Sequence, residues 1–231
     1  MMSVISTILG TLLLVGVSLA GFALAESMGF LKKENTAAGD ASTENIAPAY
    51  VSWHRTPAIL LTIGLTALCW LVGMLVYGMR QTPIQTLLDA VFMASMTLLA
   101  WIDARRHIVP NKLLLLMLVI WVTGCGLHII LSPAEGLEQV MRAAAGSLIG
   151  GVIFLLCYLL SRRQLGGGDV KLAFIMGLYL TGERIMGAVF YGVMLSCIYS
   201  IVQLCRKKVG MKDGIPLVPF LYLGTLITML L

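Results

Sequence analysis

The chain has 231 residues, of which 59% are hydrophobic and only 12% are charged. A soluble domain has about a quarter of its residues charged, so this chain has too few polar residues to cover a soluble surface. Its formal net charge is +5, but the basic residues are scattered between apolar segments, which argues against a nucleic-acid-binding protein. We therefore predict an all-α, polytopic membrane helix bundle.

Each crossing of a bilayer needs about 20 apolar residues, and the apolar segments predict about eight helices. The first, at 4–25, lacks a preceding basic residue and a clean cleavage site, which indicates a retained helix rather than a signal peptide. A polar loop at 26–56 follows, so we divide the chain into an N-terminal helix and loop (1–56) and a membrane-embedded bundle (57–231). The other predicted helices are 57–79, 84–102, 113–131, 143–161, the short 170–181, 185–205 and 215–231.

Lysine and arginine residues set the predicted orientation, because cytoplasmic loops carry more of them than external loops. Twelve lie on one side of the predicted bundle and three on the other, with Lys171 left aside. We therefore place the richer side in the cytoplasm of a multi-pass protein of the inner (plasma) membrane. That side contains the loop at 26–56, the turn at 103–112 and the segments at 162–169 and 206–214.

Three acidic residues lie within or at the ends of predicted membrane helices, where ionisable side chains are costly and usually functional. Asp89 lies near the outer start of the helix at 84–102, and Asp103 lies at its cytoplasmic end. They are separated by about 21 Å of helix, so they cannot act on the same bond. Asp169 precedes the helix at 170–181 and shares the cytoplasmic boundary with Asp103. We therefore pair Asp103 with Asp169, and predict that Asp89 is interfacial or paired elsewhere.

Three glycines at 166–168 stand directly before Asp169. Glycine permits a non-helical backbone, and in a membrane such a backbone is tolerated only where it is buried or lines a water-filled cavity. One interpretation is therefore an open segment along which an extended peptide binds by strand addition. The alternative is a flexible linker into a helix whose first-turn aspartate is favoured by the helix dipole.

Two carboxylates close together in a site of reduced dielectric cannot both ionise cheaply, so they share a proton. The ionised partner can then take a proton from water while the protonated partner donates a hydrogen bond to a peptide carbonyl, as in aspartic proteases. Asp103 and Asp169 are therefore the candidate catalytic residues, for peptide hydrolysis at the membrane boundary.

Around these two acids the chain resembles the type IV prepilin peptidases, which are membrane aspartic proteases of the G-x-G-D class. The first aspartate of that family is followed by a Pro-Asn or Pro-Asp pair, as Asp103 is by Pro110 and Asn111. The two acids occur in the family's order, with matched flanks on the basic side of the membrane. The similarity covers residues 84–231.

Two further motifs support the resemblance. The second aspartate of the family lies in G-x-G-D followed by x-K-L, which is similar to the segment at 166–172 and includes Lys171 here. A late segment at 215–220 is similar to the family's I-P-F-G-P-F pattern, with Leu217 and Val218 in place of Phe and Gly.

The resemblance implies an aspartic endopeptidase that removes the basic leader from prepilin or pseudopilin substrates at the cytoplasmic face, just before their hydrophobic helix. We predict that Gly166, Gly168, Lys171 and Pro219 bind the substrate. Lys171 has three interpretations: it holds the aspartate pair, binds a substrate carboxylate or extends toward the membrane surface. The sequence does not distinguish pilus assembly, secretion and DNA uptake, and it does not give the oligomeric state.

Bifunctional members of the family carry paired C-x-x-C motifs between the first and second spans, associated with N-methylation of the new terminus. Residues 26–56 contain no cysteine here. We therefore expect the short form of the family, without methyltransferase activity. We also expect no cofactor and no metal site, and we name the substrate and the lipid bilayer as partners.

Two rival functions stay open. A presenilin-like protease, which cuts transmembrane segments, shares G-x-G-D but usually has Tyr before the first aspartate and a Pro-Ala-Leu motif; this chain has Ile102 and Pro216-Leu217-Val218. A proton-coupled transporter would use the two acids as a relay, but it predicts acids nearer the midplane and often an internal repeat.

Overall fold

The computed structural model describes residues 2–27, 56–77, 82–160, 166–205 and 216–230. These residues form helices and no strand, which confirms the predicted all-α class. Seven helical stretches occur: α1 (Met2–Ser27), α2 (Thr56–Tyr77), α3 (Pro83–Arg106), α4 (Asn111–Leu131), α5 (Pro133–Leu160), α6 (Gly167–Cys205) and α7 (Val218–Leu230). Because α6 is interrupted at Thr181, the described part of the chain contains eight helices.

The described helices have the length and polarity of membrane helices. Four are long and apolar enough to cross a bilayer: Pro83–Arg106, Asn111–Leu131, Pro133–Leu160 and Arg184–Cys205. Three shorter apolar segments accompany them: Ile8–Ala23, Ile59–Val72 and Val218–Leu230. Large apolar side chains such as Leu115 and Leu160 face outward, where lipid can surround them. The chain is therefore a multi-pass membrane helix bundle.

Helix α3 lies at the centre of the bundle. It begins at Pro83 behind the capping residue Thr82, whose side chain accepts a hydrogen bond from the Gln85 amide, and proline is well suited to a first helical turn. Most of the residues of α3 are apolar or small and are buried, as is typical of a helix inside a bundle. It contacts α1, α2, α4, α6 and α7. Asp103, near the end of α3, is therefore surrounded by the starts and ends of other helices.

Helices α3 and α6 contact each other through side chains in the first half of α3. The rings of Phe92 and Tyr179 stack with centroids 4.8 Å apart, and the Tyr179 hydroxyl donates to the carbonyl of Met117 on α4 at 2.7 Å. One turn earlier on α3, Asp89 Oδ2 lies 4.0 Å from Arg184 Nη1. Asp89 is thus paired, in agreement with one of its two predicted roles. These contacts fix α6 against the helix that carries Asp103.

The break in α6 falls at the predicted place. Thr181 has φ 61° and ψ 179°, a backbone region that is essentially restricted to glycine. Gly146 on α5 lies against this break, since a Cβ there would come within 2.8 Å of the Cα of Thr181. Small residues let membrane helices approach closely, so α5 supports the break in α6.

Three helix starts differ from the sequence prediction by three residues or more. Helix α5 begins at Pro133 rather than 143, because the helix continues through the charged residues before its apolar part. Helix α6 begins at Gly167 rather than 170, and α7 begins at Val218 rather than 215. Most of the predicted loop at 26–56 lies outside the described residues, so the division of the chain into 1–56 and 57–231 stays a prediction.

Candidate active site

Asp103 and Asp169 come together at one end of the bundle, as predicted from the sequence. Asp103 is carried by the last turn of α3 and Asp169 by the first turn of α6. Their carboxyl groups are close enough to interact electrostatically. The first turns of α4 and α7 complete this end of the bundle around them.

Asp103 is buried and held by the backbone of α7. Only 5% of the residue is exposed, and its Oδ2 accepts a hydrogen bond from the Val218 amide at 3.0 Å. The Leu217 amide is also close enough to interact favourably with this carboxyl group. These donors are available because the first amides of a helix have no partner within it. The start of α7 therefore fixes the orientation of the Asp103 carboxyl.

A tight turn after Asp103 brings the chain back into the membrane. His107 ends α3 in the left-handed conformation, with φ 53° and ψ 36°, and its amide donates to the Asp103 carbonyl at 2.8 Å. Pro110 then caps α4, because its carbonyl accepts hydrogen bonds from Leu113 and Leu114. This turn is the surface against which α6 begins.

Asp169 is oriented by the residue that starts its own helix. Its amide donates to the Gly166 carbonyl at 3.0 Å, and its carboxyl group interacts favourably with the Gly166 amide. This reciprocal arrangement corresponds to the carboxylate half of a capping box. A carboxylate in the first turn is also favoured by the helix dipole.

The glycine segment differs from the open strand that we considered. Gly167 and Gly168 belong to α6, so only Gly166 precedes the helix. The expectation of a non-helical backbone is therefore wrong for these two residues, as is the flexible linker of the alternative, whereas the first-turn position that the alternative gave to Asp169 is confirmed.

The glycines instead allow close approach. A Cβ added to Gly168 would lie 2.9 Å from the Cβ of Val109, in the turn that follows Asp103. A Cβ on Gly166 would lie 3.1 Å from Oδ2 of Asp169, whereas one on Gly167 would meet nothing within 4 Å. Gly168 thus lets the segments that carry the two acids touch.

The other two predicted site residues lie beside the acids. Lys171 Nζ donates to Asn111 Oδ1 at 3.1 Å, which links the first turn of α6 to the first turn of α4. Pro219 is the second residue of α7 and follows Val218, whose amide holds Asp103. All six predicted site residues therefore gather at this end of the bundle.

Sequence reasoning missed the residues that position the acids. In the sequence, Val218 stands out only as a departure from a motif, and Asn111 only as part of a Pro-Asn pair. Val109 carries no polar group, and the Leu217 and Val218 donors are backbone amides, which leave no signature in side-chain chemistry. Their proximity to the acids depends on the meeting of helices distant in sequence.

Within the described ranges, no group of three or more His, Cys, Asp or Glu side chains is placed to hold a metal ion. The chemistry at this end of the bundle is that of two interacting carboxyl groups in reduced dielectric. Such a pair can hold one proton between them and can act as general acid and general base.

Comparison with known proteins finds a family that part of this chain resembles. Residues 90–201, which include both acids, match the Type IV leader peptidase family. A similar relative is the "Prepilin leader peptidase/N-methyltransferase" of Bacillus subtilis (strain 168), 23% identical over 141 residues; the match covers 61% of this chain and 54% of the relative. The chain thus spans about half the length of that protein. No solved structure matches the chain. The match over residues 90–201 confirms the resemblance of this part of the chain to the type IV leader peptidases.

Proposed function

We propose that this chain is an aspartic endopeptidase of the inner membrane that removes the leader from prepilin or pseudopilin proteins at the cytoplasmic face. The observation that carries the proposal is the meeting of Asp103 and Asp169, from separate helices, within the region that matches the leader peptidases. The name of the similar relative in Bacillus subtilis supports the same activity.

In the proposed mechanism the two acids share one proton. The ionised carboxylate takes a proton from a water molecule, whose oxygen attacks the scissile carbonyl carbon, while the protonated carboxyl donates a hydrogen bond to the carbonyl oxygen. The carbon–nitrogen bond then breaks, and the leaving amine receives a proton from the pair. The amides of Leu217 and Val218 hold Asp103 during these steps, and Gly166 holds Asp169.

Substrate residues near the scissile bond would lie next to the carboxyl groups of Asp103 and Asp169. Gly166 is exposed there, so an extended peptide could approach its backbone without meeting a side chain. Lys171 and Pro219 lie at the same end of the bundle and stay candidate contacts for the substrate. Gly168 packs against Val109, so its proposed contribution is to bring the acids together.

The proposed orientation follows from charge. Arg105 and Arg106 end α3 and Lys112 is the second residue of α4, and all three lie at the same end as the acids. Positive residues favour the cytoplasmic side. Cleavage in the cytoplasm would remove a leader before its substrate crosses the membrane.

The position of the acids also bears on the two rival functions, a proton-coupled transporter and a presenilin-like protease. Asp103 stands three residues before the end of α3, whereas a transport relay favours acids near the midplane. A presenilin-like protease would use the same acids but would cut a transmembrane segment. A substrate with a basic leader and one that is a bare apolar helix therefore discriminate between the two proteases.

The direct test uses the purified chain in proteoliposomes with a candidate prepilin, followed by a gel shift. Asp103→Asn and Asp169→Asn should each lower the initial rate by at least about a hundredfold, because general acid–base groups contribute about 10²–10⁴. Thr123→Val is the matched control, since Thr123 is exposed and bonds only within its own helix. Near wild-type processing by either Asn variant would overturn the two-aspartate mechanism.

A further inference from the structure

A buried polar cluster joins α2, α3 and α7 beneath the candidate active site. Tyr222 on α7 is buried, and its hydroxyl is hydrogen-bonded to the buried hydroxyl of Thr66 on α2. Thr97 on α3, which is also buried, is close enough to interact favourably with the same tyrosine hydroxyl. One tyrosine side chain therefore connects three helices, and the proposed peptidase mechanism gives it no role.

The direction of the hydrogen bond between Tyr222 and Thr66 follows from the other contact of Thr66. A hydroxyl has one hydrogen to donate, and Thr66 donates its hydrogen to the Thr62 carbonyl at 2.6 Å within α2. Tyr222 is therefore the donor and Thr66 the acceptor. Thr62, one turn earlier on α2, accepts a hydrogen bond from Trp101 Nε1 on α3 at 3.1 Å. Two threonines of α2 thus hold α7 and α3.

These contacts join the two helices that form the Asp103 side of the candidate active site. Trp101 stands two residues before Asp103 on α3, and Tyr222 stands four residues after Val218 on α7. Residues four apart lie on the same face of a helix, so Val218 and Tyr222 share one face of α7. A shift of α7 along its axis would move the Val218 amide away from the Asp103 carboxyl, with which it forms its hydrogen bond.

The hydrogen bond of Tyr222 opposes such a shift. Hydrogen bonds weaken steeply when their distance or angle changes, and a buried hydroxyl that loses its partner in apolar surroundings is costly. Thr66 is 0% exposed, so the tyrosine hydroxyl has its partner only when α7 keeps its present position against α2. The buried end of the tyrosine therefore fixes the height of the whole first turn of α7.

We propose that Tyr222 is a positioning residue for the peptidase reaction: its hydrogen bond to Thr66 holds α7 where the Val218 amide meets the Asp103 carboxyl. The inference rests on the proposed function. Tyr222 acts through the backbone of α7 rather than on the substrate.

The first test measures prepilin cleavage by the purified chain in proteoliposomes. Tyr222→Phe removes only a hydroxyl and should lower kcat by about two- to tenfold, the change that corresponds to one neutral hydrogen bond, with KM unchanged. Thr66→Val should have the same effect, whereas Thr66→Ser keeps the acceptor and should retain kcat. Thr225→Val is the matched control and should also retain kcat, because the buried Thr225 hydroxyl donates to the Leu221 carbonyl of its own helix.

A double variant separates positioning from a general effect on stability. Val218→Pro deletes the amide through which Tyr222 is proposed to act. In that background Tyr222→Phe should lower kcat no further, because residues coupled through one contact are not additive. Losses that multiply, or equal kcat values for Thr66→Val and Thr66→Ser, would overturn the proposal. If Tyr222→Phe does not fold, the comparison of Thr66→Val with Thr66→Ser decides.

Hydrogen–deuterium exchange in detergent gives a readout that does not depend on activity. The amides of Leu217 and Val218 should exchange faster in Tyr222→Phe than in the unmodified chain or in Thr225→Val, because local opening exposes amides to exchange. Faster exchange in a chain that cleaves no prepilin would contradict the proposed function while supporting the effect of Tyr222 on the Val218 amide. Unchanged exchange in a chain that cleaves prepilin would overturn the positioning role alone.

Discussion

The amide of Val218 donates a hydrogen bond to Oδ2 of Asp103 at 3.0 Å, although 115 residues separate them in sequence. The carboxyl of the candidate catalytic acid on α3 is thus oriented by the start of α7, through the backbone rather than a side chain. The segment that contains Pro216 and Pro219 therefore has a structural role, which is to orient Asp103. Pro216 lies just before this helix start and Pro219 within it, so the segment presents its free amides to Asp103.

The contribution of this amide can be removed without changing a polar side chain. Val218→Pro deletes the N–H, and proline is tolerated at the first position of a helix. We expect kcat to fall by about tenfold, the effect of losing one hydrogen bond to a charged group. Initial rates of prepilin cleavage, measured together with thermal unfolding, test this.

Val218→Ala is the matched control, because it keeps the amide but removes apolar volume from a residue with 0% exposure. It should lower stability with a smaller effect on kcat. Equal kcat values for the Pro and Ala variants would show that the hydrogen bond does not position Asp103.

The glycine segment offers an internally matched pair of substitutions. Gly168→Ala places a Cβ 2.9 Å from that of Val109, whereas Gly167→Ala meets nothing within 4 Å. Gly168→Ala should separate the segments that carry the two acids, and lower both stability, by about 1–3 kcal/mol, and the cleavage rate. Gly167→Ala should keep the rate and gain up to about 1 kcal/mol in helix propensity.

Removal of the opposing atom should reverse the effect. Val109→Gly deletes the Cβ that Gly168→Ala would meet, so the double variant should regain part of the rate lost by Gly168→Ala. A cleavage rate equal to wild type in Gly168→Ala alone would contradict the close-approach role of this glycine.

The membrane class, the α6 break and the meeting of the acids could be predicted from the sequence because each has a local signal. Apolar length indicates the spans, and the charges and glycine at 182–184 indicate the interruption after Thr181. The glycines at 166–168 were harder to interpret. Glycine fits both an open strand and a tight helix contact, and only the position of Val109 decides between them.

The long-range contacts had no such signal. The hydrogen bond from Val218 to Asp103 depends on where α7 enters the bundle, and the Lys171–Asn111 contact depends on how α4 and α6 converge. The start of α5 differs from its predicted position for a related reason. Apolar length defines the part of a helix that can lie in lipid, whereas α5 continues past that part from Pro133.

The Lys171–Asn111 contact allows the role of Lys171 to be measured. If the lysine mainly joins α6 to α4, Lys171→Met and Asn111→Ala should have similar small effects, about 0–1 kcal/mol in stability as for exposed polar pairs. The double variant should then be no worse than either single one, because coupled residues are not additive.

Steady-state kinetics separate this role from substrate binding. A lysine that binds a substrate carboxylate predicts a raised KM in Lys171→Met and an unchanged KM in Asn111→Ala. That pattern would contradict a purely structural role for the contact, whereas parallel changes in both variants would support it.

Close packing of α5 on α6 should set the stability of the bundle. A Cβ added to Gly177 would lie 2.3 Å from the carbonyl oxygen of Gly146, and the backbone there cannot move aside as a flexible side chain would. We expect Gly177→Ala to destabilise the fold by about 1–3 kcal/mol, as overpacking does, and to lower the thermal unfolding temperature in detergent. Gly126→Ala on α4 is the control, since a Cβ there meets nothing within 4 Å. Because the first half of α6 carries Asp169, a displacement of this interface should also reduce the cleavage rate. Equal unfolding temperatures for Gly177→Ala and Gly126→Ala would show that α5 and α6 can move apart at little cost, which would contradict the prediction.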